Sequence, residues 1–361
     1  MEKETQPSFV NNFDLIRVLA ALQVVYRHMY MGTTFENKYV EILKEIIFAF
    51  PGVPVFFTVS GFLIYWSYER NSGDLKQFYR NRFLRIYPAM WMSIIITVII
   101  LLIFDEHGVI GKNLGVFFLW IAGQATFIQF WTPEFLTFWG AGFPNGSLWT
   151  ISVELQFYLI IPIIFFITKR FSKFKILILT GFALCSILFN HWISGLDREN
   201  ILFKLGAVSV FYYLFYFLLG VVFYMYWSPL RKFFENKLIL WLAVYLIAYY
   251  FIGNQLNINF YKIDRYEKVI FYVLLSCVIL SFAFSYKSFS NKILHGNDLS
   301  YGIYVYHMVI GDFFYHFHTI DKNSSKIWVF VLTLIAAYLS WIFVEKRFMK
   351  LKKRTNKIIT A

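Results

Sequence analysis

Long apolar runs separated by short polar stretches dominate the chain. They fall at roughly 13–31, 46–66, 86–104, 114–131, 147–168, 176–193, 205–227, 238–252, 267–285, 299–318 and 327–344. Each approaches the ~20 residues that an α-helix needs to cross a hydrocarbon core of about 30 Å. The pattern predicts an all-α, polytopic membrane protein. Its topology follows from where Lys and Arg sit between the runs. Segments 67–85 (SYERNSGDLKQFYRNRFLR), 169–175 (KRFSKFK) and the tail EKRFMKLKKRTNKIITA are strongly basic and are placed on the cytoplasmic side. Two spans then return the chain to the cytoplasm at 67–85, and a third leads out again. The run 147–168 must enter from outside to put Lys169 and Arg170 in the cytoplasm. The run 114–131 therefore cannot cross and is expected to dip in and return, packed against other helices.

About ten transmembrane helices plus a re-entrant segment remain, with both termini cytoplasmic, in the inner (plasma) membrane. On this scheme inner segments hold more than twice as many Lys and Arg residues as outer loops. The polar start MEKETQPS has no cleavage site after Met31, so 13–31 is expected to be a retained span. The expected organisation is a cytoplasmic tail at 1–12, a transmembrane domain at 13–344 and a basic cytoplasmic tail at 345–361. The stretch 253–266, with Lys262 and Arg265 on the outer side, fits least well.

Composition agrees: 59% of residues are hydrophobic and 15% charged, against about 45–50% and 25% in soluble domains. A net charge of +13 could suggest nucleic acid, but its distribution follows membrane topology, and no nucleic-acid partner is expected. Cys185 and Cys277 both lie in apolar runs, so neither a disulfide framework nor a metal site is implied. No HExxH, GxSxG or Walker pattern appears. The inverted repeat of many transporters is also missing.

Three stretches carry candidate chemistry. In FDLIRVLAALQVVYRHMY (13–30), Asp14, Arg17, Arg27 and His28 interrupt an otherwise apolar helix. Ionisable groups are costly in a bilayer and usually mark a substrate, ion or proton path. Arg17 and His28 are eleven residues apart, which brings them within about 20° of one helix face with about 16 Å of rise. A cation at one end and a proton acceptor at the other could hold a long anionic molecule with its tip at His28. Helix geometry alone leaves open that the arginines snorkel and His28 is a satisfied core residue.

In RNRFLRIYP (80–88), Arg82 and Arg85 share a face at the inner mouth of the third span. Arginine's planar fork suits phosphate, although anionic lipid would also attract such a cluster. In NGSLWTISVELQFYLIIP (145–162), Glu154 lies about a third of the way into a span and needs an arginine, a protonated histidine or a substrate hydroxyl. Asn145-Gly146 predicts a turn, with Ser147 placed to cap the next helix. PGVPVFFTVSGFLIYW (51–66), with Pro51, Pro54 and Ser60-Gly61, predicts a broken helix packed closely against a cavity. His307, in LSYGIYVYHMVI, is a secondary candidate beside Asp14 and Ser60.

Together these stretches resemble the acyltransferase 3 family of integral membrane acyltransferases, from about residue 11 to 348. Arg17 and His28 match its Arg-x10-His pattern, and Phe13-Asp14-Leu15 stands where it often has Leu-Asp-Gly. PGVPVFFTVSGFLI is similar to its second-span motif, and Arg82-Phe83-Leu84-Arg85 to its Arg-x-x-Arg element. SLWTISVELQFYLIIP is similar to its Trp-Ser-Leu-Ser-Val-Glu-Glu-Gln-Phe-Tyr stretch, with Leu155 in place of the second acid. LSYGIYVYHMVI and FVEKRF resemble its last two spans.

The resemblance implies transfer of an acyl group, commonly acetyl from acetyl-CoA as donor substrate, to a hydroxyl of a cell-envelope or secreted glycan, free or lipid-linked. It implies Arg82 and Arg85 at the CoA phosphates with Arg17 nearby. It also implies His28 as general base, with Glu154 orienting it or binding the acceptor. Acyl-CoA, the glycan and membrane lipid are the expected partners. Some members carry a periplasmic hydrolase-like domain after the spans; ending at 361, this sequence is expected not to pass its acyl group to one. Acetyl is the family's commonest group, and succinyl or longer chains also fit. A carrier or flippase for a lipid-linked saccharide or organic acid would use the same buried charges. CoA binding separates the two readings.

Overall fold

The computed structural model describes residues 11–71, 74–105, 108–253, 266–286 and 288–352. Most of both tails and nearly all of the stretch 253–266, including Lys262 and Arg265, lie outside the described residues. Those described form helices and irregular connections without a strand. The principal helices are α1 (Phe13–Tyr30), α2 (Lys38–Phe48), α3 (Gly52–Arg70), α4 (Leu75–Ile103), α5 (Leu114–Ala125), α6 (Trp149–Arg170) and α7 (Lys175–Ser194). They continue with α8 (Val210–Met225), α9 (Trp227–Phe234), α10 (Leu238–Ala248), α11 (Glu267–Phe284), α12 (Ser300–His316) and α13 (Asn323–Ser340).

Six helical stretches among the described residues are long and apolar enough to cross a membrane. The total is seven if α9 and the stretch Leu238–Phe251, bent by 80°, form one span. That is fewer than the ten expected. Part of the shortfall falls on α1 and α12, which pack against each other inside the bundle. Asp14, Arg17 and Arg27 make α1 too polar, and α12, at 17 residues, reaches only about 26 Å. Neighbouring helices shield both, so neither has to be apolar on every side.

The segment after α4 behaves as its charge pattern demanded. Helix α5 has 12 residues, about 18 Å, too short to cross. The chain leaves and returns at the same end of the bundle. Phe104 packs 5.4 Å from Phe317, and the Asn145 amide donates to Asp312 at 3.2 Å, both at the C-terminal end of α12. Gln129, buried in the returning turn, donates to the carbonyls of Thr126 and Gln124 and accepts from Ser152. Irregular backbone survives at membrane depth only when its polar groups are satisfied in this way.

Two expectations need correction. The chain breaks between α2 and α3, at Ala49–Pro51, and α3 then runs unbroken through Ser60-Gly61. Pro54 sits in the first turn of α3, where its missing N–H costs nothing. Ser147 does not cap α6; its hydroxyl donates to the Asn145 side chain at 2.8 Å. Asn145 itself takes the left-handed conformation with φ 59°, which suits the expected turn.

The predicted close packing at Gly61 is present. A Cβ on Gly61 would lie 2.0 Å from the Phe217 carbonyl oxygen, and one on Gly220 would lie 2.0 Å from that of Thr58. Facing glycines let α3 and α8 touch backbone to backbone, the small-residue packing that membrane helices favour. Gly220→Ala is therefore expected to cost about 3 kcal/mol through overpacking, read as a lower melting temperature in detergent.

Helix α4, 29 residues long, is about 44 Å and so exceeds the core thickness. Its first turns, with Arg80, Arg82 and Arg85, lie at the end that residue charge assigns to the cytoplasm, called the inner end here. Asp74 caps it by accepting from the Gln77 amide at 3.0 Å.

Candidate active site

The inner end of the bundle is held by an ionic network. Arg17 Nη1 lies 2.8 Å from Asp298 Oδ2, and Arg85 Nη2 reaches the same oxygen at 2.5 Å. Arg85 Nη1 is 3.4 Å from Glu345 Oε2. A π-helical turn over Trp341–Glu345 follows α13 and carries this buried carboxylate; such turns often accompany functional sites. The Ser340 hydroxyl donates to Glu345 and accepts from the Tyr306 hydroxyl, each at 3.2 Å. Asp298 stands before α12 and accepts from the amide and hydroxyl of Ser300. Burial alone would push the Asp298 carboxyl up. Arg17, Arg85 and the Ser300 hydrogen bonds win, and hold it well below the usual carboxylate range.

The two arginines expected at phosphate differ sharply. Arg85 is 8% exposed and committed to two carboxylates. Arg82, partly exposed, makes no ion pair among the described residues. Its guanidinium lies over the rings of Phe78 and Tyr158, 5.5 and 5.6 Å from their centroids, and its buried Nε has no hydrogen-bond partner. Lys352 joins this end. Burial, and then repulsion by Arg85, Arg82 and Arg17, pushes its ammonium down to about 6.

A cavity adjoins this network at Arg17 and Ser300. Arg17, Ser60, Thr150, Glu154, Ser300, Tyr301 and Tyr304 line it, together with Val53, Phe56, Phe57 and Ile151. Its volume is about 50 Å³, room for a few water molecules. Glu154 accepts from the Tyr158 hydroxyl at 2.5 Å. Tyr158 thus links Glu154 to Arg82, where an arginine, a protonated histidine or a substrate hydroxyl was expected. Thr150 donates to the Tyr304 hydroxyl at 2.8 Å.

Beyond Tyr304 stand two histidines. His28 Nδ1 is 2.9 Å from His307 Nε2, and His307 Nδ1 is 2.7 Å from the Tyr304 carbonyl oxygen. His307 is fully buried, whereas His28 is exposed. One turn further on, Asp312 accepts from the amides of Ala141 and Asn145. Gly140, with φ +57°, has no room for a Cβ against Asp312. The loop before α6 is thereby clamped to the outer half of α12.

The structure thus brings Arg17, Ser60 and Glu154 to one cavity wall, Arg82 over the Tyr158 ring and His28 beside His307. Asp14 stands beside this network, with its side chain 58% exposed and 4.0 Å from Arg17. Sequence reasoning missed Asp298, Glu345, Thr150, Tyr158 and Tyr304. An acid two residues before a helix and another ending the last span were the available signals for the first two. Among the described residues, no group of three His, Cys, Asp or Glu side chains could hold a metal ion.

An all-helical bundle with a buried ionic network, a cavity and a histidine pair fits a membrane transferase. Residues 10–345 match the family described as acyltransferase domain, and the chain belongs to it. It is a multi-pass membrane acyltransferase. It is 32% identical over 360 residues to Nodulation protein 10 of Rhizobium leguminosarum bv. viciae, covering 95% of this chain and 94% of that protein. It is 27% identical over 378 residues to the peptidoglycan O-acetyltransferase OatA of Listeria monocytogenes. Identity to the O-acetyltransferase OatA of Staphylococcus aureus is 24% over 374 residues. Both alignments cover 96% of this chain but only 57% and 58% of those longer proteins. No solved structure matches.

Proposed function

We propose that this chain moves an acyl group, acetyl foremost, from cytoplasmic acyl-CoA to a glycan hydroxyl on the outer face of the inner (plasma) membrane. Both termini then lie in the cytoplasm. The observation that carries the reading is that α1 places Arg17, on the cavity wall within the inner ionic network, and His28, paired with His307, at its two ends. The ~16 Å rise from Arg17 to His28 along α1 is of the order of an extended pantetheine arm. OatA's designation as a peptidoglycan O-acetyltransferase supports a glycan acceptor and an acetyl group.

In this reading Arg82 and Lys352 meet CoA phosphate. Arg85 acts differently from the expectation, by holding Asp298 and Glu345 in place around Arg17. At the other end His28 takes the proton from the acceptor hydroxyl as its oxygen attacks the thioester carbonyl. The C–S bond breaks, and the departing thiolate receives that proton from His28. An ester and free CoA result. A general base in this role contributes about 10²–10⁴-fold.

Donor binding gives a direct test. In purified protein, Arg82→Ala is expected to raise the Kd for CoA about tenfold, the loss of a charge-assisted phosphate contact. A bound phosphate favours the charged form of Lys352, whose proton leaves as pH rises through about 6. CoA affinity should therefore fall from pH 6 to 8, and Lys352→Met should flatten that slope. Unchanged affinity in Arg82→Ala would remove this donor site, and no CoA binding at all would favour the carrier.

A further inference from the structure

We infer that His307 is a positioning residue that fixes which nitrogen of His28 is free to act as base, an inference that rests on the proposed transfer. The argument starts from an atom that cannot donate. The Tyr304 carbonyl oxygen lies 2.7 Å from His307 Nδ1, and a carbonyl only accepts, so Nδ1 carries a proton. A neutral His307 then presents Nε2 as an acceptor. Its partner at 2.9 Å, His28 Nδ1, must be the donor. The proton on His28 is thereby held at Nδ1, and its Nε2 keeps a lone pair for the acceptor hydroxyl.

Ring geometry supports this assignment. The imidazole planes differ by 10°, and their centroids are 5.1 Å apart. That separation is what two rings joined edge to edge through a 2.9 Å bond require, so the N–H and the lone pair share a plane. The competing arrangement, a doubly protonated His307 donating to His28, would bury a cation. His307 has no solvent exposure and no ion-pairing carboxylate among the described residues. Asp312, on the same helix, is taken up by the amides of Ala141 and Asn145. The neighbouring charge on α1 is Arg27, which repels a second cation. Burial of an unpaired charge is strongly unfavourable.

The pair divides the work that a carboxylate and a histidine share in hydrolases. When His28 Nε2 takes up the hydroxyl proton, Nδ1–H still donates to His307. The imidazolium is stabilised while His307 keeps its own proton on the Tyr304 carbonyl. The proton then moves from His28 Nε2 to the leaving thiolate, and the pair returns to its starting state. A histidine held in the wrong tautomer costs about 10⁴-fold in the serine-protease triad, so the effect sought here is large.

The test compares His307→Phe, which keeps bulk but cannot accept, with His307→Gln, whose Oε1 can take the place of Nε2. Both full-length variants are reconstituted and assayed with acetyl-CoA and envelope glycan. His307→Phe should lower kcat by about 10²-fold or more with the KM for acetyl-CoA unchanged, and His307→Gln should recover at least about tenfold of that loss. Nitrogen-15 spectra of histidine-labelled protein in nanodiscs read the tautomer directly, with the His28 signals assigned by their loss in His28→Ala. Wild type and His307→Gln should show a proton on Nδ1 and a bare Nε2, and His307→Phe should populate the Nε2–H form. A proton on His28 Nε2 in wild type, a spectrum indifferent to His307→Phe, or equal loss in both variants would overturn the inference. Absence of transfer by wild type would instead fell the transferase reading, while the spectra still decide the tautomer.

Discussion

His28→Ala is expected to lower kcat for acetyl transfer by about 10²–10⁴-fold, the usual contribution of a general base, while leaving CoA affinity unchanged. The separation follows from the architecture. Arg17, in the inner network, is about 16 Å from His28 along α1, so truncating the imidazole removes nothing proposed to hold the donor. The side chain is also exposed, and its loss leaves no void in the core. Steady-state transfer by reconstituted protein, with CoA binding as the folding control, checks this. The nearby His307 offers no ready substitute. Its Nδ1 faces the Tyr304 carbonyl, and its Nε2, though freed in the variant, belongs to a fully buried ring set behind the exposed position of His28. Undiminished transfer by the variant would remove His28 as base.

Asp298→Ala is expected to destabilise the protein by about 3–5 kcal/mol, the cost of leaving buried charges without a partner. One carboxylate oxygen serves both Arg17 and Arg85, and the three side chains are 14%, 20% and 8% exposed. Removing it leaves Glu345 to balance Arg85 alone at 3.4 Å. Thermal unfolding in detergent, read by Trp fluorescence, measures the loss. The folded Asp298 carboxyl titrates below its ordinary range. Its contribution is therefore fully present above the unfolded pKa of about 3.9, and is lost only as pH falls towards the folded value. The loss of stability in the variant should therefore persist from pH 8 down to pH 5. A variant as stable as wild type would show that the network carries no weight in the fold.

What the sequence revealed and what it hid separate by range. The shared face of Arg17 and His28 is a property of one helix, and it survives intact. The turn-back after α4 was legible because loop charges fix which segments can cross. The partners of these residues were not legible. Arg17 and Asp298 are 281 positions apart, and His28 and His307 are 279 apart. Periodicity carries no information on which helices become neighbours. Arg82 and Arg85 look equivalent at i, i+3, yet packing turns one towards two carboxylates and leaves the other free of them. Glu154 needed a partner, as its depth required, but a hydroxyl one turn along its own helix supplies it. The span count fell short in part because α1, packed inside the bundle, was never required to be apolar on every face, and because α12 is only 17 residues long.

Transfer across sealed membranes tests the central claim most directly, that one cavity joins a donor on the inner face to an acceptor on the outer face. Inverted and right-side-out vesicles bearing the protein and envelope glycan would be given labelled acetyl-CoA from the bulk solution only. The account requires label on lumenal glycan in inverted vesicles and none in right-side-out vesicles, with the signal lost in His28→Ala. Label appearing in right-side-out vesicles alone, or equally in both, would contradict it.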